Sequence, residues 1–214
     1  RKSVGRLQWM CPLRPDINYA VKELSRGLAS PTREDQAKLK HLLRYLKGTL
    51  SYVFVLAVKI TLACQLLEIL VYCDSDWAGD VKTRRSTSGF LLTLFGCSFH
   101  FGSRTQAVHA LSSGEAELYG IGTAINESLH IKSFLEELRL FKTIKIHVHS
   151  DSTAGISMAA RFGITKRLRH VQLRFLFVQC LVQQGVVQIY KVLGTQNPCL
   201  LYTSPSPRDR QKSR

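Results

Sequence analysis

The stretch EILVYCDS (68–75) is a short run of mostly apolar residues that ends in polar ones. Runs of this length, rich in β-branched and aromatic side chains, are typical of buried β-strands. The stretch therefore predicts a strand whose last residues reach a sheet edge. It also places one carboxylate, that of Asp74, where the strand ends.

Further alternating or apolar runs follow this strand in a definite order. Residues 88–95 and 98–110 predict two strands joined by a hairpin at Gly96-Cys97. Helical spacing or caps then predict helices, and alternation predicts two more strands. The helices are expected over 112–138, 152–160 and 171–184, and the strands over 144–150 and 186–192. Three hairpin-type strands followed by strands joined through helices imply an α/β fold, with helices packed on a mixed five-stranded sheet.

The first 50 residues have a helical pattern instead. Helical spacing relates Ile17, Ala20, Val21, Leu24 and Leu28, and a second helix follows Ser30-Pro31-Thr32. In that second helix the predicted inward residues are Ala37, Leu39, Leu42, Leu43 and Leu46. We therefore expect a small helical segment over 1–60, a sheet domain over 66–198, and a non-native or disordered tail over 199–214. The chain starts at Arg1, and we interpret it as a piece of a longer reading frame.

Composition narrows the class of protein. Hydrophobic residues make up 45% of the chain, so a wholly disordered protein is excluded. The apolar runs are too short or too charged to predict a membrane span. The six cysteines include no C-x-x-C pair, which argues against a zinc site. The formal net charge of +15 favours a polyanionic partner such as a nucleic acid over a merely solvated basic surface.

Three acidic residues stand at the ends of predicted strands or at the start of a predicted helix. Asp74 and Asp151 end two strands, and Glu117 lies in the first turns of the long helix. Carboxylates gathered at strand ends repel one another unless cations hold them, and Mg²⁺ prefers such hard oxygen ligands. Two ions would activate a water and stabilise a leaving oxygen. Taken singly, however, the three acids also fit a turn residue, a helix-start charge and an N-cap.

Several longer motifs carry a resemblance to a known family. They are YCDSDWAGD (72–80), RRSTSGF (84–90), SRTQAVHALSSGEAELYG (103–120) and HSDSTAGI (149–156). In this order they resemble the ribonuclease H domain of copia-type retrotransposon polyproteins. Two upstream stretches, GRLQWMCPLRPDINYAVKELSR (5–26) and LKHLLRYLKGTL (39–50), resemble the end of the reverse transcriptase.

The resemblance implies a ribonuclease H-like fold and a metal-dependent endoribonuclease. The implied reaction is hydrolysis of the RNA strand of an RNA–DNA hybrid during reverse transcription, with two Mg²⁺ or Mn²⁺ ions. Asp74, Glu117 and Asp151 match the family's metal-binding carboxylates. The implied partners are the hybrid and the remainder of the reverse transcriptase polyprotein, with no membrane. The absence of a visible targeting segment and the reduced-looking cysteines favour a cytoplasmic retroelement particle as the location.

Other residues are weaker candidates for contacts with nucleic acid. Phosphate or 2′-hydroxyl contacts are expected from Arg84, Arg85, Ser86, Ser88, Arg104 and Gln106, although loop capping and solvated charge explain these residues equally well. The run Lys166, Arg167, Arg169 and His170 corresponds to a basic stretch in the family. We expect Asp76 to lie past the strand end and, like Glu115, to be supporting or surface. His147, His149 and Trp77 are expected to be structural.

The chain departs from the family's pattern at its end. The family closes with a helix that follows Asn-Pro and carries a fourth metal-binding aspartate. This chain keeps Asn197-Pro198 but continues as CLLYTSPSPRDRQKSR, with no aspartate at that place and no helical period. We therefore expect weak metal binding and low turnover. The alternative function is a catalytically dead fragment that only binds RNA–DNA hybrid.

Overall fold

The computed structural model describes residues 1–56, 66–80, 83–161 and 173–203. Within these ranges the chain forms two compact units. Residues 1–56 make up the helical unit, and residues 66–203 make up the sheet unit. Each is built from its own hydrophobic core, so each is described by itself.

The helical unit contains three α-helices, α1 (Lys2–Met10), α2 (Asn18–Arg26) and α3 (Arg33–Gly48). A short 3-10 helix, Pro15–Ile17, leads into α2. Thr32 begins α3 with a capping box, in which its side chain and that of Asp35 each bond to the other's backbone N–H. The buried core residues are Val4, Leu7, Ile17, Val21, Leu24, Leu42 and Leu46.

Helical periodicity correctly predicts most of this core, but it fails on one side of α3. Leu42 and Leu46 are buried as predicted, whereas Leu43 is 48% exposed and Ala37 is exposed. Leu43 lies about 100° around the helix from Leu42, so a stripe centred on Leu42 and Leu46 turns it towards the rim. The prediction that Ala37 and Leu43 point inward is therefore wrong.

The sheet unit is built on five strands in the order β3-β2-β1-β4-β5. These are β1 (Leu66–Asp76), β2 (Thr87–Leu94), β3 (Cys97–Thr105), β4 (Thr143–Ser150) and β5 (Val187–Lys191). β1, β2 and β3 pair antiparallel, whereas β4 and β5 run parallel to β1. The helices are α4 (Ser113–Glu137), α5 (Thr153–Ala160), α6 (Leu173–Gln183) and α7 (Leu200–Thr203). The predicted fold class, a mixed five-stranded sheet flanked by helices and preceded by a helical segment, is confirmed.

The core of the sheet unit lies between the sheet and α4. Leu67, Ile69, Val71 and Cys73 alternate along β1 and are each at most 2% exposed. α4 packs on β1 and β2, and it contributes buried residues such as Leu118, Ile121 and Ile125. α4 is thereby fixed against the central strand, and this fixes the direction in which its first turns point.

Three predicted boundaries in this unit are wrong. β1 continues to Asp76, so Asp76 is the last residue of the strand and does not lie past it. The hairpin turns at Phe95-Gly96, both of which have positive φ, one residue before the predicted pair. β3 ends at Thr105, five residues before the predicted end at Ala110, and the last bond of its ladder is donated by the backbone N–H of Gln106 to the carbonyl of Ser86.

The residues after Asn197-Pro198 also differ from expectation. Leu200–Thr203 form the short helix α7, which packs on β2. With α4 on one side and α7 on the other, β2 is buried from Thr87 to Thr93. Of the two alternatives for the tail, disorder is therefore wrong for residues 199–203, whereas a non-native origin stays a prediction. Residues 204–214 lie outside the described ranges.

None of the helices in the described ranges is both long enough and apolar enough to cross a lipid bilayer.

Candidate metal centre

Three carboxylates meet at one edge of the sheet. Within the described ranges, oxygens of Asp74, Glu117 and Asp151 all lie within 4.8 Å of one another. Asp74 is buried, with 1% of its surface exposed, whereas Glu117 and Asp151 are partly exposed. The three residues singled out from the sequence therefore come together, and one side of the cluster stays open to solvent.

Strand direction explains why the two aspartates meet. β1 and β4 are adjacent and parallel, and their register pairs Tyr72 with His149. The carboxyl ends of parallel neighbours lie at the same edge of a sheet. Asp74, two residues beyond Tyr72, therefore lies level with Asp151, two residues beyond His149.

Glu117 reaches the same edge from α4. Ser112 begins this helix, and its side chain accepts a hydrogen bond of 3.2 Å from the N–H of Glu115. α5 supports Glu117 by close approach, because a Cβ added at Gly155 would lie 2.9 Å from the Cβ of Glu117. Because Gly155 has no side chain, α5 can pack closely against Glu117.

The cluster creates a strongly negative environment. Cys73 lies next to it and is buried. Burial raises the pKa of the Cys73 thiol well above its usual range, and the negative charges of Glu117, Asp74 and Asp151 raise it further. Three neighbouring carboxylates, one of them buried, fit a divalent cation with hard oxygen ligands. These three residues are therefore the ones that could hold a metal ion.

The neighbouring acid Glu115 has a different role. It was expected to be either a supporting residue or a surface residue. Because it is 3% exposed, the second of these alternatives is wrong. Its carboxylate accepts a hydrogen bond of 2.9 Å from the N–H of Leu111 and another from the hydroxyl of Tyr119. Glu115 therefore anchors the start of α4. Asp76 is partly buried and is not part of the carboxylate cluster.

Three of the predicted nucleic-acid contacts are buried inside the unit. The side chain of Ser86 accepts a hydrogen bond of 3.1 Å from the N–H of Ala78. The Nε2 of Gln106, which carries two hydrogens, lies within hydrogen-bonding distance of three acceptors: Ser75 Oγ at 3.2 Å, Ser88 Oγ at 2.9 Å and the carbonyl of Ala116 at 2.9 Å. Gln106 therefore connects β1, β2 and α4, and Ser86 bonds to the turn that follows β1. Both arrangements favour the structural interpretation over contact with nucleic acid.

The arginines are placed differently. Arg84 and Arg85 are exposed. Arg104 is also exposed, and its guanidinium lies 2.5 Å from Oε1 of Glu127 and over the ring of Phe90. These three remain candidates for phosphate contacts. The predicted contacts at Lys166, Arg167, Arg169 and His170 lie outside the described residues.

The two histidines of β4 lie apart from the carboxylate cluster. His149 stacks on Tyr72 and Tyr190, and His147 stacks on Tyr190. Burial lowers the pKa of His149. Trp77 donates from its indole N–H to the carbonyl of Ala110 at 3.1 Å. These contacts support the structural role that the sequence predicted.

One residue at the site was missed from the sequence. The hydroxyl of Thr203 donates a hydrogen bond to Oδ2 of Asp74. Thr203 lies in the stretch predicted to be a tail, and a threonine in such a stretch gives no local signal. The preserved Asn197-Pro198 was the only hint that the chain returns to the sheet there.

A mixed sheet in this order, with three carboxylates at the shared edge of β1 and β4, defines a ribonuclease H-like domain. The N-terminal RNase H domain of a Mycobacterium tuberculosis protein, solved as a fusion with maltose binding protein, is 10% identical. That likeness covers 69% of this chain and 98% of the other, with a TM-score of 0.48.

The chain's homologues are retrovirus-related Pol polyproteins of plant transposons. That of transposon TNT 1-94 from Nicotiana tabacum is 30% identical over 209 residues, which is 97% of this chain and 15% of the polyprotein. That of transposon RE1 from Arabidopsis thaliana is 32% identical over 192 residues, 90% of this chain and 13% of the polyprotein. The chain thus spans about one seventh of the length of these relatives. No family model matches it.

Proposed function

We propose that the chain is the ribonuclease H domain of a copia-type retrotransposon polyprotein. It hydrolyses the RNA strand of RNA–DNA hybrids with two divalent cations during reverse transcription. The observation that carries this proposal is the meeting of the Asp74, Glu117 and Asp151 carboxylates at one sheet edge. The homologous Pol polyproteins support the retroelement setting.

The cation is Mg²⁺ or Mn²⁺, held by Asp74, Glu117 and Asp151. When bound, such ions supply an activated water and neutralise the charge on the leaving oxygen. The protein's own contribution is positional. β1 and β4 hold two of the ligands level with each other, α4 holds the third, and buried Asp74 keeps its carboxylate in one place.

The substrate is bound through its backbone. Exposed Arg84, Arg85 and Arg104 belong to the sheet unit and offer guanidinium groups to phosphates. Lys166, Arg167, Arg169 and His170 extend this basic set along the sequence. The net charge of +15 favours association with any polyanion, so binding should weaken steeply as salt rises.

The setting of this activity follows from the relatives. The helical unit belongs to the end of the reverse transcriptase, and the remainder of that polyprotein is the partner. The natural location is a cytoplasmic retroelement particle, where RNA–DNA hybrids arise during reverse transcription.

The direct test is cleavage of a labelled RNA–DNA hybrid by the purified chain with Mg²⁺ or Mn²⁺. We expect Asp74→Asn to lower the cleavage rate by at least about a hundredfold, because it removes a carboxylate from the centre. Asp76→Asn is the matched control. It removes an acid two residues further along β1 that lies outside the cluster, and it should cleave like the unchanged chain.

The outcomes separate clearly. Cleavage that persists in Asp74→Asn would exclude this site. Equal losses of cleavage rate in Asp74→Asn and Asp76→Asn would show that the rate depends on the negative charge near the end of β1 and not on the carboxylate cluster. Cleavage of an RNA–RNA duplex at the same rate as the hybrid would contradict the substrate assignment.

A second candidate function is binding of the hybrid without cleavage. It is favoured by one observation, namely that residues 199–203, which follow Asn197-Pro198 where the fourth aspartate was expected, include no carboxylate. For this candidate, fluorescence anisotropy would show salt-sensitive hybrid binding, while the cleavage assay would show none in either metal. Cleavage lost only in Asp74→Asn would exclude it.

A further inference from the structure

The segment that follows β5 is tied to the strand that carries Asp74. The side chain of Asn197 donates to the carbonyl of Cys73 at 2.9 Å, and its Oδ1 accepts a hydrogen bond of 3.0 Å from the N–H of Cys199. Cys199 and Tyr202 are buried and pack with Leu91 on β2. The residues between Asn197 and Thr203 are thus fixed at both ends against β1 and β2.

A glycine on β2 makes room for this segment. Gly89 pairs with Asp74 across the β1–β2 ladder. A Cβ added at Gly89 would lie 2.6 Å from Cγ2 of Thr203 and 3.1 Å from Cβ of Tyr202. At 2.6 Å either Thr203 or the added Cβ would have to shift, so the close seating of α7 beside Asp74 depends on the absence of a side chain there.

Thr203 is the residue that this seating brings to the carboxylate. Its hydroxyl donates to Oδ2 of Asp74, and the two residues are 0% and 1% exposed. A buried carboxylate requires hydrogen-bond donors or a cation to offset its lost hydration. A hydroxyl in this position also restricts the carboxylate to one orientation.

We propose that Thr203 is a positioning residue for the metal centre, which orients Asp74 towards a divalent cation shared with Glu117 and Asp151. This inference rests on the proposed metal-dependent function. Hydrogen bonds to ligating carboxylates fix their geometry, and losing one typically costs about 10- to 100-fold in metal affinity. The opposite effect, a hydroxyl that occupies Oδ2 and competes with the cation, predicts tighter binding when the hydroxyl is removed.

The test is Mn²⁺ binding to the full chain, measured by isothermal titration calorimetry and by electron paramagnetic resonance of free Mn²⁺. Thr203→Val keeps the shape of the side chain but removes the donor, and we expect about tenfold weaker Mn²⁺ binding. Thr203→Ser keeps the donor and should bind Mn²⁺ like the unchanged chain. Thr203→Ala is a second variant without the hydroxyl, for use if Thr203→Val does not fold, as judged by circular dichroism.

The results distinguish this inference from the proposed function. If the unchanged chain binds no Mn²⁺, or Asp74→Asn binds it equally well, then the metal centre itself is wrong and so is the nuclease. If Asp74→Asn abolishes binding but the folded hydroxyl-free variant binds Mn²⁺ as tightly as the unchanged chain, or more tightly, only the role of Thr203 is overturned. Weak binding by Thr203→Ser would also overturn it, since the donor is then not the cause.

Discussion

The helical unit and the sheet unit bury their large apolar side chains to different extents. Ile69, Val71 and Val148 in the sheet unit are completely buried, on strands far apart in the sequence. Among the described residues, the main core cluster of the sheet unit contains seventeen buried hydrophobic residues, whereas that of the helical unit contains seven, of which Ile17 is also completely buried. The sheet unit therefore has a closed core, which can hold carboxylates at fixed positions. The helical unit is a small set of helices with a thin core and is expected to be the less stable of the two.

The largest expected effect tests whether the two units are stabilised independently. Ile69→Ala removes a completely buried side chain from the central strand and should lower the stability of the sheet unit by about 2–5 kcal/mol. Hydrogen-exchange mass spectrometry in increasing denaturant would report each unit through its own peptides. Peptides from 66–80 and 113–137 should lose protection, while those from 18–48 should not.

Leu43→Ala serves as the control for that change. It shortens a leucine that is 48% exposed on α3, so stability should change by well under the effect of Ile69→Ala. If Ile69→Ala weakened the protection of both units equally, the two units would not be stabilised independently.

A smaller effect is expected from a polar contact within the helical unit. Arg14 donates to the carboxylate of Asp16 at 2.9 and 2.7 Å and to Oγ1 of Thr49 at 2.8 Å. Arg14→Ala should cost this unit about 2 kcal/mol, measured by the same exchange experiment, because these bonds involve charged groups. Arg44→Ala, a change at an exposed arginine of α3, should have little effect.

This contact also predicts a pH dependence. Burial raises the pKa of Asp16, but the hydrogen bonds from Arg14 and Tyr45 outweigh it and leave the pKa below its usual value. The unfolded chain then binds this proton more readily than the folded one. The stabilisation is therefore present above about pH 4 and is lost as pH falls through the lowered pKa. In Arg14→Ala the stability of the helical unit should fall less steeply as the pH is lowered below about 4. An unchanged decrease in stability would show that the Arg14–Asp16 contact is not its cause.

The smallest effect is expected from the N-cap hydrogen bonds, of which each unit has one example. Thr32 begins α3 and Ser112 begins α4, each accepting a hydrogen bond from the N–H three residues later. Thr32→Ala and Ser112→Ala should each cost about 1 kcal/mol. Each loss should appear only in the peptides of its own unit, and a loss that spread to the other unit would show coupling between them.

Much of the fold was predictable where a regular pattern coincided with burial. The alternation of IKIHVHS predicted a strand over 144–150, and β4 runs over Thr143–Ser150. The three acids were predictable because each stands at the end of a strand or the start of a helix. Parallel pairing of β1 with β4 then brings the two aspartates to the same edge.

The failures share a physical cause, which is contact between residues distant in sequence. Residues 106–110 continue an apolar pattern, yet the chain leaves the sheet there because Gln106 inserts its amide among Ser75, Ser88 and Ala116. Residues 199–203 have no period. They are ordered by Asn197 on the Cys73 carbonyl and by the space at Gly89. No local pattern encodes either arrangement.

The parallel pairing of β1 with β4 also has a kinetic consequence. β1, β2 and β3 are consecutive in the sequence and β2 and β3 are joined by a two-residue turn, so these three strands can pair early. In the sequence, however, β2, β3 and the whole of α4 separate β4 from β1, its neighbour in the sheet. Long-range pairings of this kind close late in folding. Until they close, Asp74 and Asp151 are not neighbours. A refolding chain should therefore gain secondary structure before it gains its response to divalent cations, and on the ribosome the centre can assemble only after residue 151 has been released.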